Sequence, residues 1–149
     1  MPISFRGHRK QYGFIRSARV AHLATADRAG RPHVVPICFA LSQNSLYTAI
    51  DLKPKRRAAE NLKRLRNIVQ NRRVAVITDR YTEDWKRLAF DLIHGHASLA
   101  RGEERQRAIR LLRRKYRQYR TMALEGRPII KIRPTSTYSW GTLSRRMRR

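Results

Sequence analysis

The fold is decided by Val20-Ala21-His22-Leu23-Ala24-Thr25 and His33-Val34-Val35-Pro36-Ile37-Cys38-Phe39-Ala40-Leu41, followed by Leu46-Tyr47-Thr48-Ala49-Ile50-Asp51. Each run is rich in β-branched, aromatic and small apolar residues, and the third alternates with period 2, as a half-buried strand does. Between the first two stands Ala26-Asp27-Arg28-Ala29-Gly30-Arg31-Pro32, and between the last two Ser42-Gln43-Asn44-Ser45. Asp, Gly, Pro, Ser and Asn at these points are turn formers. The spacing therefore predicts two hairpins in succession over strands 20–25, 33–41 and 46–51. Pro36 has no amide hydrogen for a ladder, so it predicts a bulge or a sheet edge within the second strand.

Working outward, residues 4–19 predict a short N-terminal helix, with Phe5, Tyr12, Phe14 and Ile15 as its apolar members. A second helix is predicted over 57–69, where Ala58, Leu62, Leu65 and Val69 recur at helical spacing. Strands follow at 74–79 and 88–99. Residues 103–123 predict a third helix with a buried stripe of Ala108, Leu112, Tyr116, Tyr119 and Ala123. Its other faces hold Arg105, Arg107, Arg110, Arg113, Arg114, Arg117 and Arg120, while Glu103 and Glu104 suit the positive end of its dipole. Strands at 128–133 and 136–140 precede the basic tail Arg145-Arg146-Met147-Arg148-Arg149. Hairpin-linked strands with helical excursions point to a mainly β, antiparallel barrel in a single domain spanning 1–149. Neither a G-x-G-x-x-G nor a G-x-x-x-x-G-K-[ST] motif occurs, so no Rossmann fingerprint or P-loop is expected.

Composition restricts the partners. The chain has 149 residues with 35 Lys+Arg against 10 Asp+Glu, a net charge of +25 that is densest in the last third. Such a summed field draws polyanions whatever the function. A single cysteine, Cys38, leaves no disulfide framework and no cysteine-rich metal site. No run of about 18 apolar residues is present, and the N-terminal stretch has no apolar signal core, so a cytoplasmic chain without membrane partners is expected.

The order of motifs carries a family likeness. Val20–Thr25, the Gly30–His33 turn, Val34-Val35-Pro36, Tyr47-Thr48, Asp51-Leu52-Lys53-Pro54-Lys55-Arg56 and Asn71-Arg72-Arg73-Val74-Ala75-Val76 resemble the pyridoxamine-phosphate-oxidase-like split barrels. Tyr81-Thr82-Glu83-Asp84-Trp85-Lys86-Arg87-Leu88-Ala89 looks like a branch described as deazaflavin-dependent. The resemblance implies a homodimer whose interface grooves each bind FMN or the 5-deazaflavin coenzyme F-420. It implies hydride-transfer chemistry on a small organic substrate, with the cofactor supplying the reactivity and the protein binding, orienting and tuning it. FMN passes one or two electrons, whereas a deazaflavin carries hydride. Vitamin B6 oxidation itself is not expected, because the family's C-terminal arginine and histidine pattern is replaced here by Tyr138-Ser139-Trp140-Gly141.

The cofactor-binding candidates follow. Lys53, Lys55 and Arg56 lie between a strand and a helix start, where cations and free backbone N–H groups favour a phosphate; a solvated basic loop is the plain alternative. Thr48 offers a hydroxyl from the preceding strand. By resemblance, backbone groups of Val35, Pro36, Ile37 and Cys38 face the ring system, and His33 stands at the turn exit. Cys38 itself reads as a small core side chain. Trp85 and Trp140 are candidate walls for a flat ring, Gly141 permitting close approach beside Trp140. His94 and His96 flank Gly95 on one strand face, but no third ligand accompanies them and no metal site is expected. No catalytic residue is assigned. Two other classes stay open: a nucleic-acid-binding protein using the arginine-rich helix and tail, and a non-catalytic flavin or haem carrier on the same barrel.

Overall fold

The computed structural model describes residues 2–50 and 58–143, with side chains throughout these ranges except at 58–62. The basic tail at 145–149 lies outside them. The two expected hairpins are present. Strand β1 (Ala21–Ala26) pairs antiparallel with β2 (Pro32–Ile37), in register Ala21 to Ile37 and Ala26 to Pro32. Their turn is built by Asp27, whose Oδ1 accepts from the N–H groups of Ala29 and Arg31, with Gly30 at φ +81°. Strand β3 (Ala40–Leu41) pairs with β4 (Leu46–Ala49).

The expected single strand over 33–41 is thus two. Its break at Cys38-Phe39 closes the architecture. The remaining strands are β5 (Arg73–Arg80), β6 (Ala89–Leu99) and β7 (Ile129–Gly141), and all seven form one antiparallel sheet of order β2-β1-β5-β6-β7-β4-β3. Strands β2 and β3 are its two ends, yet only two residues separate them. Three Cα steps reach about 11 Å at most, so the sheet must curl until its edges nearly meet: a split barrel. Pro36 accordingly sits on an edge strand, opposite His22, with no bulge.

Strands expected at 128–133 and 136–140 are one, β7. A register shift opposite His94 and Gly95 absorbs one residue, and Pro134 stands across from Gly95. A Cβ on Gly95 would lie 2.5 Å from the Arg133 carbonyl oxygen, so the strands close here only over glycine.

The inward residues of β1, β5, β6 and β7, among them Leu23, Val76, Ile93 and Ile132, form the barrel core. Helix α1 (Arg9–Ser17) adds Ile15 to it. The expected helix over 4–19 is shorter because His8 interrupts it, donating its N–H to the Phe5 carbonyl of a preceding 3-10 turn, Phe5–Gly7. Helix α2 (Ala58–Gln70) buries Ile68, packs Leu65 beside it, and leaves Val69 83% exposed, one position off the expected stripe. Asn67 fixes this phase, donating its amide to the Thr25 hydroxyl at 3.0 Å.

Helix α3 (Gly102–Lys115) covers the outside of β3 and β4 with Ala108, Ile109 and Leu112 in a second core. Full burial of Ile109 or Leu112 is worth roughly 1.5–3 kcal/mol. The helix expected to reach 123 stops at Tyr116, a 3-10 turn follows at Arg117–Arg120, and Ala123 is exposed. Arg105 and Arg113 then fold back onto this segment. Arg105 donates to the carbonyls of Leu124, Glu125 and Arg127, and Arg113 to those of Tyr119 and Met122 and to the Glu125 carboxylate.

Candidate cofactor-binding face

Alternation along the strands gives the sheet an outer face that α3 leaves uncovered from β2 to the second half of β7. In cross-strand register it carries Pro36, His22, Ile77, Leu92 and Tyr138 in one row, and Phe90 with Trp140 in the next. Val34, Tyr138 and Trp140 are exposed. The Phe90 ring lies between Tyr138 and Trp140, 6.0 Å from the first and 5.9 Å from the second, nearly parallel to the indole at 21°. Tyr138 and Phe90 were not among the sequence candidates; the alternation Tyr138-Ser139-Trp140 was the signal that could have found them.

The sequence candidates fall in several places. Lys53, Lys55 and Arg56 lie outside the described residues. On β2, Val35 and Ile37 turn inward to the core while Pro36 turns outward, and among the described residues no strand pairs with the far side of β2. Backbone groups on that side form an open edge. His33 is half-buried opposite Thr25. Cys38 is half-buried against the α3 core, in keeping with the packing role expected of it. Thr48 is buried, and its hydroxyl proton is committed to the Cys38 carbonyl at 2.7 Å, which fastens β4 to the β2–β3 joint. Trp85 is 70% exposed on the 3-10 turn Trp85–Arg87, whose start is capped by the Asp84 carboxylate. Trp140 is half-exposed at the end of β7. The structure therefore joins Cys38 to Thr48 and sets Trp140 in an aromatic row, while the β2 edge lies three strand spacings from Phe90 and four from Tyr138 and Trp140.

His94 and His96 do share an exposed face. No group of three or more His, Cys, Asp or Glu side chains able to hold a metal occurs among the described residues. No helix among them is long and apolar enough to cross a membrane.

Asp91 and Lys115 are perturbed groups that stand outside the sequence candidates. Asp91 is wholly buried on the inner face of β6; burial pushes its carboxyl up, against a 2.6 Å hydrogen bond from Thr137 and the charge of His8. A lone Asp at an inward position of an apolar strand was its sequence signal. Lys115, at the end of α3, is brought down to about 8 by burial and by the charges of Arg19 and Arg16, with Cys38 opposing. Nothing distinguishes it in sequence from its arginine neighbours.

Residues 9–141 match the family described as Pyridoxamine 5'-phosphate oxidase, and the chain belongs to that family. No curated protein matches it. Among solved structures it is similar to a FAD-binding protein from Mesorhizobium loti (20% identity, TM-score 0.66, covering 87% of this chain and 91% of that one). It is similar also to a heme storage protein from Vibrio cholerae (15%, 0.64, 91% and 94%). A heme binding protein from Mycobacterium smegmatis aligns at 16% identity and TM-score 0.73 over 91% of this chain and 54% of that one. At such identities the likeness establishes the shared fold, and function has to be argued from the site.

Proposed function

We propose that the protein is a flavin-type oxidoreductase that binds FMN or coenzyme F-420 between two copies of the chain. The observation that carries this reading is the open backbone edge of β2, which ends the sheet at the outward-facing Pro36. A flavin or deazaflavin presents alternating carbonyl and imide groups along one ring edge, and free amide donors and acceptors suit that pattern. The aromatic row Tyr138–Phe90–Trp140 suits the ring faces. Around the curled sheet the β2 edge is three strand spacings from Phe90 and four from Tyr138 and Trp140, a path of roughly 14–19 Å that follows the barrel wall rather than one flat ring. A site that uses both takes β2 from one copy and the aromatic row from another. The uncovered outer face with Val34, Ile77 and Leu92 offers the apolar surface for that pairing.

In this reading Lys53, Lys55 and Arg56 hold the cofactor's phosphate, Val35 to Cys38 offer backbone contacts to the ring edge, and Trp85 and Trp140 exclude water from its faces. Thr48 keeps the β2–β3 joint in place, and His33 lines the start of the edge. The cofactor, when bound, supplies the hydride or electron transfer; a small organic molecule is the substrate. The FAD-binding relative from Mesorhizobium loti lends the reading support by analogy.

Titration with FMN and with coenzyme F-420 in moderate salt, followed by cofactor fluorescence, tests it. Saturable binding of one cofactor, weakened at least about tenfold in Lys55→Glu/Arg56→Glu, is the expected result. Binding of neither, or binding that salt abolishes and the variant leaves alone, overturns it.

A second reading has its own observation. His22, His94 and His96 are exposed on the outer face, where an imidazole would be available to hold a haem iron, and two of the structural relatives are described as heme proteins. A Soret shift on adding haemin, lost in His→Ala variants, would favour a carrier role.

A further inference from the structure

A cavity of about 320 Å³ lies at the end of β4 where the Ser42–Ser45 turn enters it, between that turn, the first turns of α3 and β7. That volume is at the lower end for small-molecule sites. Its base is an ordered charge network. Glu104 forms an ion pair with Lys131 at 2.7 Å and accepts a hydrogen bond from the Tyr47 hydroxyl at 3.0 Å. Burial pushes the Glu104 carboxyl up, but the Lys131 and Tyr47 bonds and the charges of Lys131 and Arg107 outweigh it and hold the group below its ordinary range. Glu104 is therefore ionised and is matched by Lys131.

Two further cations line the same cavity. Arg107 from α3 and Arg133 from β7 make no side-chain hydrogen bond or ion pair among the described residues. This separates them from Arg105 and Arg113, whose guanidinium groups are spent on carbonyls of the 117–127 segment. Gln43 adds an amide, its Oε1 already accepting from Arg6 at 3.2 Å. Leu111 and the ring of Tyr47 supply an apolar wall. The cavity thus combines two solvent-exposed planar forks, of which Arg107 also acts on Glu104 by its charge, a matched acid–base pair that fixes the floor, and a hydrophobic side.

We propose that this cavity is a second binding site, separate from the cofactor face, for a small organic phosphate monoester. Arg107 and Arg133 hold the phosphoryl oxygens by forked charge-assisted bonds, and the organic part rests on Leu111 and Tyr47.

Isothermal titration with phenyl phosphate at about 150 mM salt, where exposed charges are screened beyond about 8 Å, tests the site. Three double variants accompany the unaltered protein: Arg107→Gln/Arg133→Gln, Arg110→Gln/Arg114→Gln with the same loss of charge on exposed α3 positions, and Lys55→Glu/Arg56→Glu. Thermal melts show that each is folded. Saturable one-to-one binding is expected, weakened at least about tenfold in the first variant and within about twofold of the original in the other two. No saturable binding, or equal loss in the first two variants, overturns the proposal, since only the general positive field would then be at work. Loss confined to Lys55→Glu/Arg56→Glu overturns it as well, because the phosphate would be entering the cofactor site.

Discussion

The Thr48 hydroxyl donates to the Cys38 carbonyl at 2.7 Å, and this bond spans the joint where the sheet passes from one edge to the other. Cys38 and Phe39 lie between the end strands β2 and β3, so neither belongs to a regular ladder there. Their backbone groups are met instead by side chains: Thr48 at the Cys38 carbonyl, and the Tyr116 hydroxyl as acceptor for the Phe39 N–H at 3.1 Å. Tyr116 in turn donates to the Arg19 carbonyl at 2.9 Å, tying the joint to the segment before β1.

Thr48→Val keeps the side chain's shape and removes the donor at a site 1% exposed. The expected loss is about 1–2 kcal/mol, read as a lower urea midpoint with an unchanged slope. Thr48→Ser, which retains the hydroxyl, should recover a large part of it. If Thr48→Val unfolds at the same urea midpoint as the original protein, the hydrogen bond contributes nothing to the joint.

Asp91 gives an opposite expectation. Its Oδ1 accepts from Thr137, but among the described residues Oδ2 has no hydrogen-bond partner, and neither has the Thr78 hydroxyl on the residue directly across the ladder. A carboxyl raised in the folded state lowers stability as pH climbs from the unfolded value near 3.8 through the folded one, because the unfolded chain ionises first. Asp91→Asn keeps an acceptor for Thr137 and brings an amide donor towards Thr78. At pH 7 the variant should be more stable by about 1 kcal/mol or more, and the gain should vanish near pH 4. A variant less stable at pH 7, with no pH dependence, would show that the ionised carboxylate is favourable where it stands.

The barrel was legible wherever a local rule fixed the backbone. The β-rich run Val20–Thr25, the Asp27–Gly30 turn and Pro36 on an edge all follow from strand composition, turn chemistry and a missing N–H, whereas the period-2 run at 46–51 does not read out as one exposed face, since Leu46–Ala49 is buried throughout. What was misread depends on contacts distant in sequence. Tyr116 ends α3 while its hydroxyl serves residues 77 and 97 positions away, and no local breaker precedes it. Ile68 and Val69 are adjacent apolar residues, and only the Asn67–Thr25 bond from another element selects which of them faces inward. The arginine-rich stripe of α3 reads from sequence as one uniform face, yet Arg105 and Arg113 are structural clamps and Arg107 lines a cavity. The aromatic row went partly unseen because Phe90 meets Tyr138 and Trp140 only through the β6–β7 register.

Lys115 shows how one of these cations differs from the rest. Its Nζ is buried without a hydrogen-bond acceptor among the described residues, 3.8 Å from the centre of the Phe39 ring and 5.3 Å from that of Tyr116. Arg19 lies over the other ring of the pair, Tyr116, at 4.7 Å, and donates to the Lys115 carbonyl at 3.0 Å. Aromatic faces attract the ammonium, but they replace only part of its hydration, and burial with the Arg19 and Arg16 charges lowers its pKa from 10.5 to about 8. Below pH 8 both the folded and the unfolded chain hold this proton, and folding bears the full cost of the buried charge. Between about 8 and 10.5 only the unfolded chain still holds it, so stability from this group rises with pH. Lys115→Met fills the same space without charge. Its melting temperature should exceed that of the original protein by roughly a few degrees at pH 7, and the difference should close as pH approaches 10.5. A difference that stays constant across this range would mean that packing, not the buried charge, separates the two proteins.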